Sequence, residues 1–311
     1  MANLYPPAFN TISGDNITAS RFANSTPLLA RALQTLAQRR YIGNLLVPNR
    51  VPTTSGAINY EVVGEGIFAN DAPVQVAPGA EYQLTGSVNG TAATASVGKY
   101  GEDSVITDEA VSRYNFSALN KTLLKINNST KLLIDGAVLA AVATAATYTA
   151  PAGSKWDGTG TAPKILLDLL KAQAEMTSLN LGYSANCLIL DERVWAYLAS
   201  DTVIATAMAR EDKSNPIYTG NFPVIAGLEV IPVPAANLPG GVNTSAFLLD
   251  RAQCGFILTE NLGGGYASAG DLTEMKSWRD DGTDGVRIRV RCNFKVVITD
   301  PGAIYKITTV V

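Results

Sequence analysis

The chain has 311 residues, of which 47% are apolar and only 16% charged, and it carries a formal net charge of −3 with a pI near 5.2. Such a length supports one large or two modest domains, and the acidity argues against a dedicated nucleic-acid binder, which carries a basic face and a high pI. Histidine is absent, which removes Ser-His-Asp and Cys-His catalysis, histidine general bases and most zinc sites.

With so little charge, much of the surface must be Ser, Thr, Asn, Gly and Ala, a composition common where subunits meet. No 18-residue apolar run occurs, residues 132–146 being interrupted by Asp135, and no charged segment followed by a long apolar one marks an export signal. The chain therefore reads as neither membrane-spanning nor exported by that route. Cys187, Cys254 and Cys292 are widely separated and flanked by apolar residues, as expected of buried free thiols in a reducing compartment.

Residues 1–50 read as an arm. Pro6, Pro7 and Gly14 imply extended, turn-rich chain, broken by one short helix that Ser25 or Thr26 would cap, with Pro27 in its first turn and Leu29, Leu33 and Leu36 on its apolar stripe. Arg21, Arg31, Arg39, Arg40 and Arg50 against Asp15 give this arm a charge of +4. Residues 51–103 differ. Ala57 to Val63 alternates as a strand, residues 64–80 are punctuated by Gly and Pro, and Glu81 to Tyr100 is rich in Thr, Val, Ser and Gly, so a long two-stranded hairpin with an irregular tip is expected. It has few large apolar residues with which to build a core and must lie on something. Glu61, Glu65, Asp71 and Glu81 against Lys99 leave it at −3. Arm and hairpin of different subunits could thus attract each other, or both could carry ordinary solvated charge worth about 0 to 1 kcal/mol per pair.

Thr107 to Ala146 contains no proline and one glycine, Gly136. Thr107 caps it, Asp108 and Glu109 suit the positive end of a helix dipole, and Leu119, Leu123, Ile126, Thr130, Leu133, Ala137 and Ala140 recur at alternating spacings of four and three. One helix on the order of 55 Å long is expected, or two helices broken near Asn127-Asn128 or Gly136.

Residues 151–160 form a small-residue loop. Thr161 and Pro163 then open a helix with Ile165, Leu169, Ala172, Met176 and Leu179 on its stripe. Cys187 to Leu190 reads as a buried strand, Asp191 as the cap of a helix bearing Val194, Trp195 and Leu198, and Val224 to Val233 and Ala246 to Leu249 as further strands, which together make an α/β unit. Ser200 to Phe222 is polar and irregular, with Arg210, Glu211, Asp212 and Lys213 bunched as in a functional loop. Val286 to Ile298 alternates, with Arg287, Arg289, Arg291, Asn293 and Lys295 on one face and Ile288, Val290, Cys292, Phe294 and Val296 on the other. That basic stripe is a solvated face, a subunit contact, or a surface packed against acidic residues of the long helix. Asp300-Pro301-Gly302 turns the chain into a last strand, Ala303 to Val311.

The expected chemistry is meagre. Gly263-Gly264-Gly265 with Gly270 lacks phosphate-loop spacing and leads into strand-like sequence. Asp280, Asp281 and Asp284 resemble the start of a calcium loop, yet the twelfth position is Arg291 where a bidentate Glu is needed. Asp191-Glu192 could pair as acid and base but is explained by capping. No active site, metal or cofactor is expected.

A basic arm, a long hairpin, a very long helix, an α/β unit with a polar loop and a closing strand pair, in that order, resemble the major capsid protein of tailed bacteriophages with the HK97 fold. The resemblance covers essentially the whole chain. It rests on Ile106-Thr107-Asp108-Glu109-Ala110, Leu132 to Gly136, Asn221-Phe222-Pro223-Val224, Gly227 to Pro232, Ala246-Phe247-Leu248-Leu249-Asp250 and Asp300-Pro301-Gly302-Ala303. It implies an α+β fold with an N-terminal arm (1–51), an E-loop (52–103), a P domain (104–156 and 266–311, spine helix 107–146) and an A domain (157–265) whose loop 200–222 approaches the capsomer axis. Arm and E-loop would reach over neighbours, so that Arg21, Arg31, Arg39, Arg40, Glu61, Glu65, Asp71, Glu81, Arg210, Glu211, Asp212, Lys213, Arg287, Arg289 and Arg291 become candidate inter-subunit contacts. The implied product is a virion shell of hexamers and pentamers around double-stranded DNA, assembled in the host cytoplasm, with scaffolding, portal and decoration proteins as possible partners, weak non-specific contact with the packaged DNA and no membrane. Two departures stand out. Lys99, at the base of the E-loop, is its only lysine, which disfavours a lysine-to-asparagine crosslink of the kind some members form. No room precedes the arm for a large cleaved segment, so a separate scaffold or a longer precursor is expected. The alternatives are an encapsulin-type nanocompartment shell and an enzyme or small-molecule binder built on the α/β unit.

Overall fold

The computed structural model describes residues 19–35, 42–63, 71–86, 90–114, 116–159, 162–207, 224–234, 244–270 and 272–311. The chain opens with two short helices, α1 (Ala19–Asn24) and α2 (Thr26–Thr35), then a single turn, α3 (Gly43–Leu46). In α2, Leu29, Ala30 and Leu33 are buried. The Thr26 hydroxyl is not a free cap but accepts the Ser277 N–H at 3.2 Å, tying the helix start to a distant strand.

Strands β1 (Arg50–Thr53), β2 (Ala57–Val62), β3 (Thr91–Ser96) and β4 (Gly98–Thr107) follow. β2 and β3 pair antiparallel from Ala57 opposite Ser96 to Val62 opposite Thr91. Among the described residues the hairpin's second strand is therefore Thr91–Ser96. Residues 81–86 carry no strand, and Gly98 to Tyr100 belong to β4.

Thr107 ends β4, and its hydroxyl accepts the Ala110 N–H at 3.3 Å, so the expected hydroxyl cap is in place over α4 (Asp108–Tyr114). Beyond residue 115 the chain continues as α5 (Phe116–Ala145), thirty residues or about 45 Å long. It runs without a break through Asn127, Asn128 and Gly136.

Its buried stripe departs from the expected one. Leu119, Leu123, Ile126 and Thr130 are buried, but Leu133 is 41% exposed and the burial passes to Ile134, Val138, Leu139 and Val142. A repeat of four and three averages 3.5 residues against about 3.6 per helical turn, so a strict stripe drifts around the helix. Spacings of four from Thr130 to Val142 follow a new neighbour. Leu119, Leu123 and Ile126 join one core with Leu29, Leu33, Ile106, Met275 and Ile288; Ile134, Val138, Leu139 and Val142 join another with Trp156, Leu169, Leu188 and Ile304.

The remainder comprises β5 (Tyr148–Pro151), α6 (Ile165–Ser178), β6 (Cys187–Asp191), α7 (Glu192–Ser200), α8 (Thr202–Ala207), β7 (Val224–Ile225), β8 (Leu228–Val233), β9 (Ser245–Leu249), β10 (Gly255–Glu260), β11 (Ala267–Ser268), β12 (Glu274–Asp280), β13 (Gly285–Ile298) and β14 (Ile304–Thr308). The expected irregular segment 200–222 thus begins as helix α8, and residues 208–223 lie outside the described set. Thr161, expected to open α6, also lies outside the described set, and the helix starts at Ile165 after Lys164.

One sheet has the order β5-β14-β9-β6-β8-β7. Every residue of its central strand β6 is buried, as expected of a strand covered on both faces. The other is built on β13, whose fourteen residues pair with β4 along one edge and with β12 and then β10 along the other. Helix α5 spans from this sheet to the first one.

Asp191 corrects one expectation. It stands at the N-cap of α7 with extended backbone, but its side chain makes no capping bond, and both carboxylate oxygens are buried without a partner. The three cysteines are buried and free. Burial pushes the Cys187 and Cys254 thiols up to about 12 and that of Cys292 up to about 11, so none is poised to react.

Candidate assembly surfaces

The sheet around β13 separates two layers. Its even-numbered side chains, Val286, Ile288 and Val290, face α5 and α2. On the opposite face Val297 packs with Leu258 and Ala95, where Ile58, Tyr60, Val97 and Phe256 close over them. Tyr60 and Phe256 meet edge to face with centroids 6.4 Å apart, a favoured aromatic geometry. The base of the β2–β3 hairpin therefore lies on one side of the sheet and the long helix on the other.

The arginine stripe shares the hairpin's face, and its partners are neighbouring strands rather than the long helix. Arg289 forms a two-pronged pair with Asp103 of β4 at 2.5 and 2.6 Å, and Arg287 reaches the same carboxylate at 3.3 Å. Both guanidinium carbons lie over the Trp278 ring, at 5.0 and 6.0 Å from its centroid. The hydrogen bond from Arg289, with the charges of Arg289 and Arg287, holds the Asp103 carboxyl below the usual carboxylate range despite some burial. Arg291 is only 6% exposed, pairs with Glu274 at 2.6 Å, donates to the Gly263 carbonyl at 2.7 Å and stacks 3.5 Å from the Tyr266 ring centroid. Lys276 donates to the Gly264 carbonyl at 2.8 Å. The triglycine loop is thus pinned to the sheet by two cations, and all three of its glycines take positive φ, where a side chain would be strained. Nearby, Arg279 binds Asp108 at 2.9 and 2.7 Å and Asp280 accepts the Gly282 N–H at 3.2 Å, which makes the aspartate-rich turn a self-closed corner.

The N-terminal helices are fastened to α5 by two buried side chains eight residues apart, about 12 Å along the helix. Asn127 donates to the Leu33 carbonyl at 2.9 Å near the end of α2. Asp135, fully buried, accepts the Ile42 and Gly43 N–H groups at 3.1 and 2.8 Å as α3 begins. From the sequence, Asn127 stands only as a possible helix break and Asp135 only as an interruption of an apolar run, neither as a tether. A lone aspartate in the middle of an otherwise apolar helical run was the available signal.

The segment 71–86 contrasts with all of this. Apart from a half-buried Val76 its residues are exposed. Val74, Tyr82 and Leu84 stand 60%, 81% and 91% exposed, and a Cβ added at Gly79 or Gly86 would meet nothing within 4 Å. Asp71 and Glu81 lie in this segment, whereas Glu61 sits on β2 and accepts the Gly90 N–H. Arg31 is exposed on α2. Arg21 lies in α1, with its side chain outside the described set, and Arg39, Arg40, Glu65, Arg210, Glu211, Asp212 and Lys213 fall outside the described residues.

Among the described residues no group of three or more His, Cys, Asp or Glu is placed to hold a metal, and no helix is long and apolar enough to cross a membrane. A family model described as phage capsid protein matches residues 90–307. No curated protein matches the sequence. Among solved structures, the capsid of cyanophage P-SCSP1u is similar at 14% identity with a TM-score of 0.57, over 84% of this chain and 85% of that one. Mycobacterium phage Che8 is similar at 12% identity and a TM-score of 0.53, over 99% and 98%. The holo-SrpI encapsulin complex from Synechococcus elongatus PCC 7942 is similar at 12% identity and a TM-score of 0.55, over 89% of each chain.

Proposed function

The chain belongs to the phage capsid protein family and has the α+β, HK97-like capsid fold, and from that premise we propose that it is the major capsid protein of a tailed bacteriophage. As a structural shell protein it assembles with copies of itself into hexamers and pentamers, which close an icosahedral virion shell around double-stranded DNA. Assembly takes place in the host cytoplasm, with scaffolding, portal and decoration proteins as its partners.

The observation that carries this reading is the segment 71–86. Tyr82 and Leu84 project at 81% and 91% exposure from a hairpin whose base is packed on its own sheet. Large apolar groups held in water are costly unless another surface covers them. In a shell that surface is a neighbouring copy, and the segment plays the part of the E-loop tip. Residues 104–156 and 266–311 then act as the P domain around the spine helix α5, and residues 157–265 as the A domain. The candidate contacts Arg21, Arg31, Arg39, Arg40, Asp71 and Glu81 fit such an overlap of arm and tip. Arg287, Arg289 and Arg291 support the sheet from within one subunit, since their charges are already met there.

The double substitution Tyr82→Ser/Leu84→Ser tests the assignment. It should leave folded, soluble subunits that sediment as monomers or capsomers and do not close. Shells indistinguishable from the wild type would contradict it. The encapsulin alternative, raised by the likeness to the Synechococcus shell, predicts purified shells holding protein cargo and no DNA.

A further inference from the structure

Two parts of the described chain each want a partner strand. The first is β4, which pairs with β13 from Gly98 to Thr107 and carries no strand on its other edge among the described residues. The outermost strands β1, β5, β7 and β11 of the two large sheets are only two to four residues long, as is usual where an edge must be kept from pairing with other chains. β4 has ten residues, and from Lys99 to Asp103 every one is exposed. The second part is Glu81 to Thr85. Its order Glu-Tyr-Gln-Leu-Thr alternates polar and apolar side chains with the period of a strand, yet the segment pairs with nothing and is exposed throughout.

We propose that Glu81–Thr85 of one copy adds as a further strand to the free edge of β4 in a neighbouring copy, parallel to it and with Glu81 beside Lys99. The sheet around β13 is then completed only in the assembly. This rests on the shell reading above and deepens it by naming where the segment lands and how it is held. Many surfaces could cover Tyr82 and Leu84, but an open edge accepts only extended backbone, which it binds through main-chain hydrogen bonds. The stated register covers Lys99 to Asp103, the exposed run of β4, residue for residue. It brings together Glu81 and Lys99, neither of which has an ion-pair partner among the described residues. It also sets Tyr82 beside the exposed Tyr100, whose ring already lies 5.4 Å from that of Phe294. Opposite charges and aromatic pairs on neighbouring strands both stabilise a sheet.

The test is hydrogen exchange at single backbone amides of the full chain, unassembled and in purified shells. Ladder hydrogen bonds leave a strand towards both edges, so in the unassembled chain some amides between Lys99 and Asp103 are protected by β13 and the others exchange freely. Assembly should slow those others by about tenfold, the order of factor that one net hydrogen bond supplies, together with amides of residues 81–85. Glu81→Lys sets two like charges side by side and should reduce this protection a few-fold, and Glu81→Lys/Lys99→Glu should restore it. Outward amides of β4 that exchange as fast in shells as in free subunits overturn the proposal. Protection that ignores Glu81→Lys, or that the double variant fails to restore, overturns it too. Absence of shells from the wild type defeats the shell assignment itself, whereas shells in which residues 71–86 are covered but the β4 edge exchanges freely defeat only the strand addition.

Discussion

Asp135 and Gly43 lie 92 residues apart in the chain and meet through a 2.8 Å hydrogen bond, the Gly43 N–H donating to Asp135 Oδ1. The Ile42 N–H shares the same oxygen at 3.1 Å, so one buried carboxylate serves two free amides where a short helical turn begins. A Cβ at Gly43 would sit 3.3 Å from that oxygen and from Val138 Cγ2, which explains why a residue without a side chain stands there.

Removing the carboxylate should loosen the N-terminal segment from the spine. Asp135→Ala is expected to cost about 2 to 3 kcal/mol, because hydrogen bonds to a charged group are lost and two buried donors are stranded. Chemical denaturation reads the loss, and hydrogen exchange at the Ile42 and Gly43 amides should accelerate. Unchanged exchange at those two amides would refute the clamp.

Helix α5 joins two cores, and substitutions at its two ends should add. Leu123 and Leu139 are both buried, in different clusters. Leu→Ala at either should cost about 2 to 5 kcal/mol, and sites so far apart should be additive within about 0.5 kcal/mol. A double variant far from additive in equilibrium unfolding would contradict a helix packed on two separate cores.

Gly136 sits inside α5 with open space where a Cβ would go. Gly136→Ala should stabilise the subunit by about 0.5 to 1 kcal/mol, since alanine restricts the unfolded chain and suits a helix interior. Destabilisation would indicate a bend at this position.

The Asp103 carboxyl is held below its ordinary value by Arg289 and Arg287. A depressed carboxylate adds stability above its unfolded value, near 3.8, and loses it as pH falls through the lower folded value, because the unfolded chain binds the proton first. The gap in unfolding midpoint between wild type and Asp103→Asn should be present at about pH 6 and shrink below about pH 4. At this partly exposed site it should be about 1 kcal/mol or less. A gap independent of pH would rule out the ion pair as its cause.

The periodic signals were the readable ones. The alternation from Val286 to Ile298 marks β13 because every second side chain there lies on one side of the sheet, Val286, Ile288 and Val290 in one core and Cys292, Phe294 and Val296 in the other, and the proline-free run after Thr107 marks α4 and α5. What was hidden depends on contacts far apart in sequence. Asp103 meets Arg289 across 186 residues, and nothing local announces that the arginine stripe is neutralised by β4 and β12 rather than by the long helix. The helix stripe was legible only to Thr130, where α5 changes neighbours and Ile134 takes the place expected of Leu133. The hairpin's want of a core was legible from composition, but its base resting on Phe256 and Val297 required the fold.

The most direct test of the central claim is electron microscopy of the purified chain under assembly conditions, with scaffold supplied. Closed icosahedral particles are expected, in which residues 71–86 of each copy lie buried on a neighbour, Tyr82 and Leu84 against its surface. A chain that stays monomeric, or particles in which this segment remains free in solvent, would contradict it.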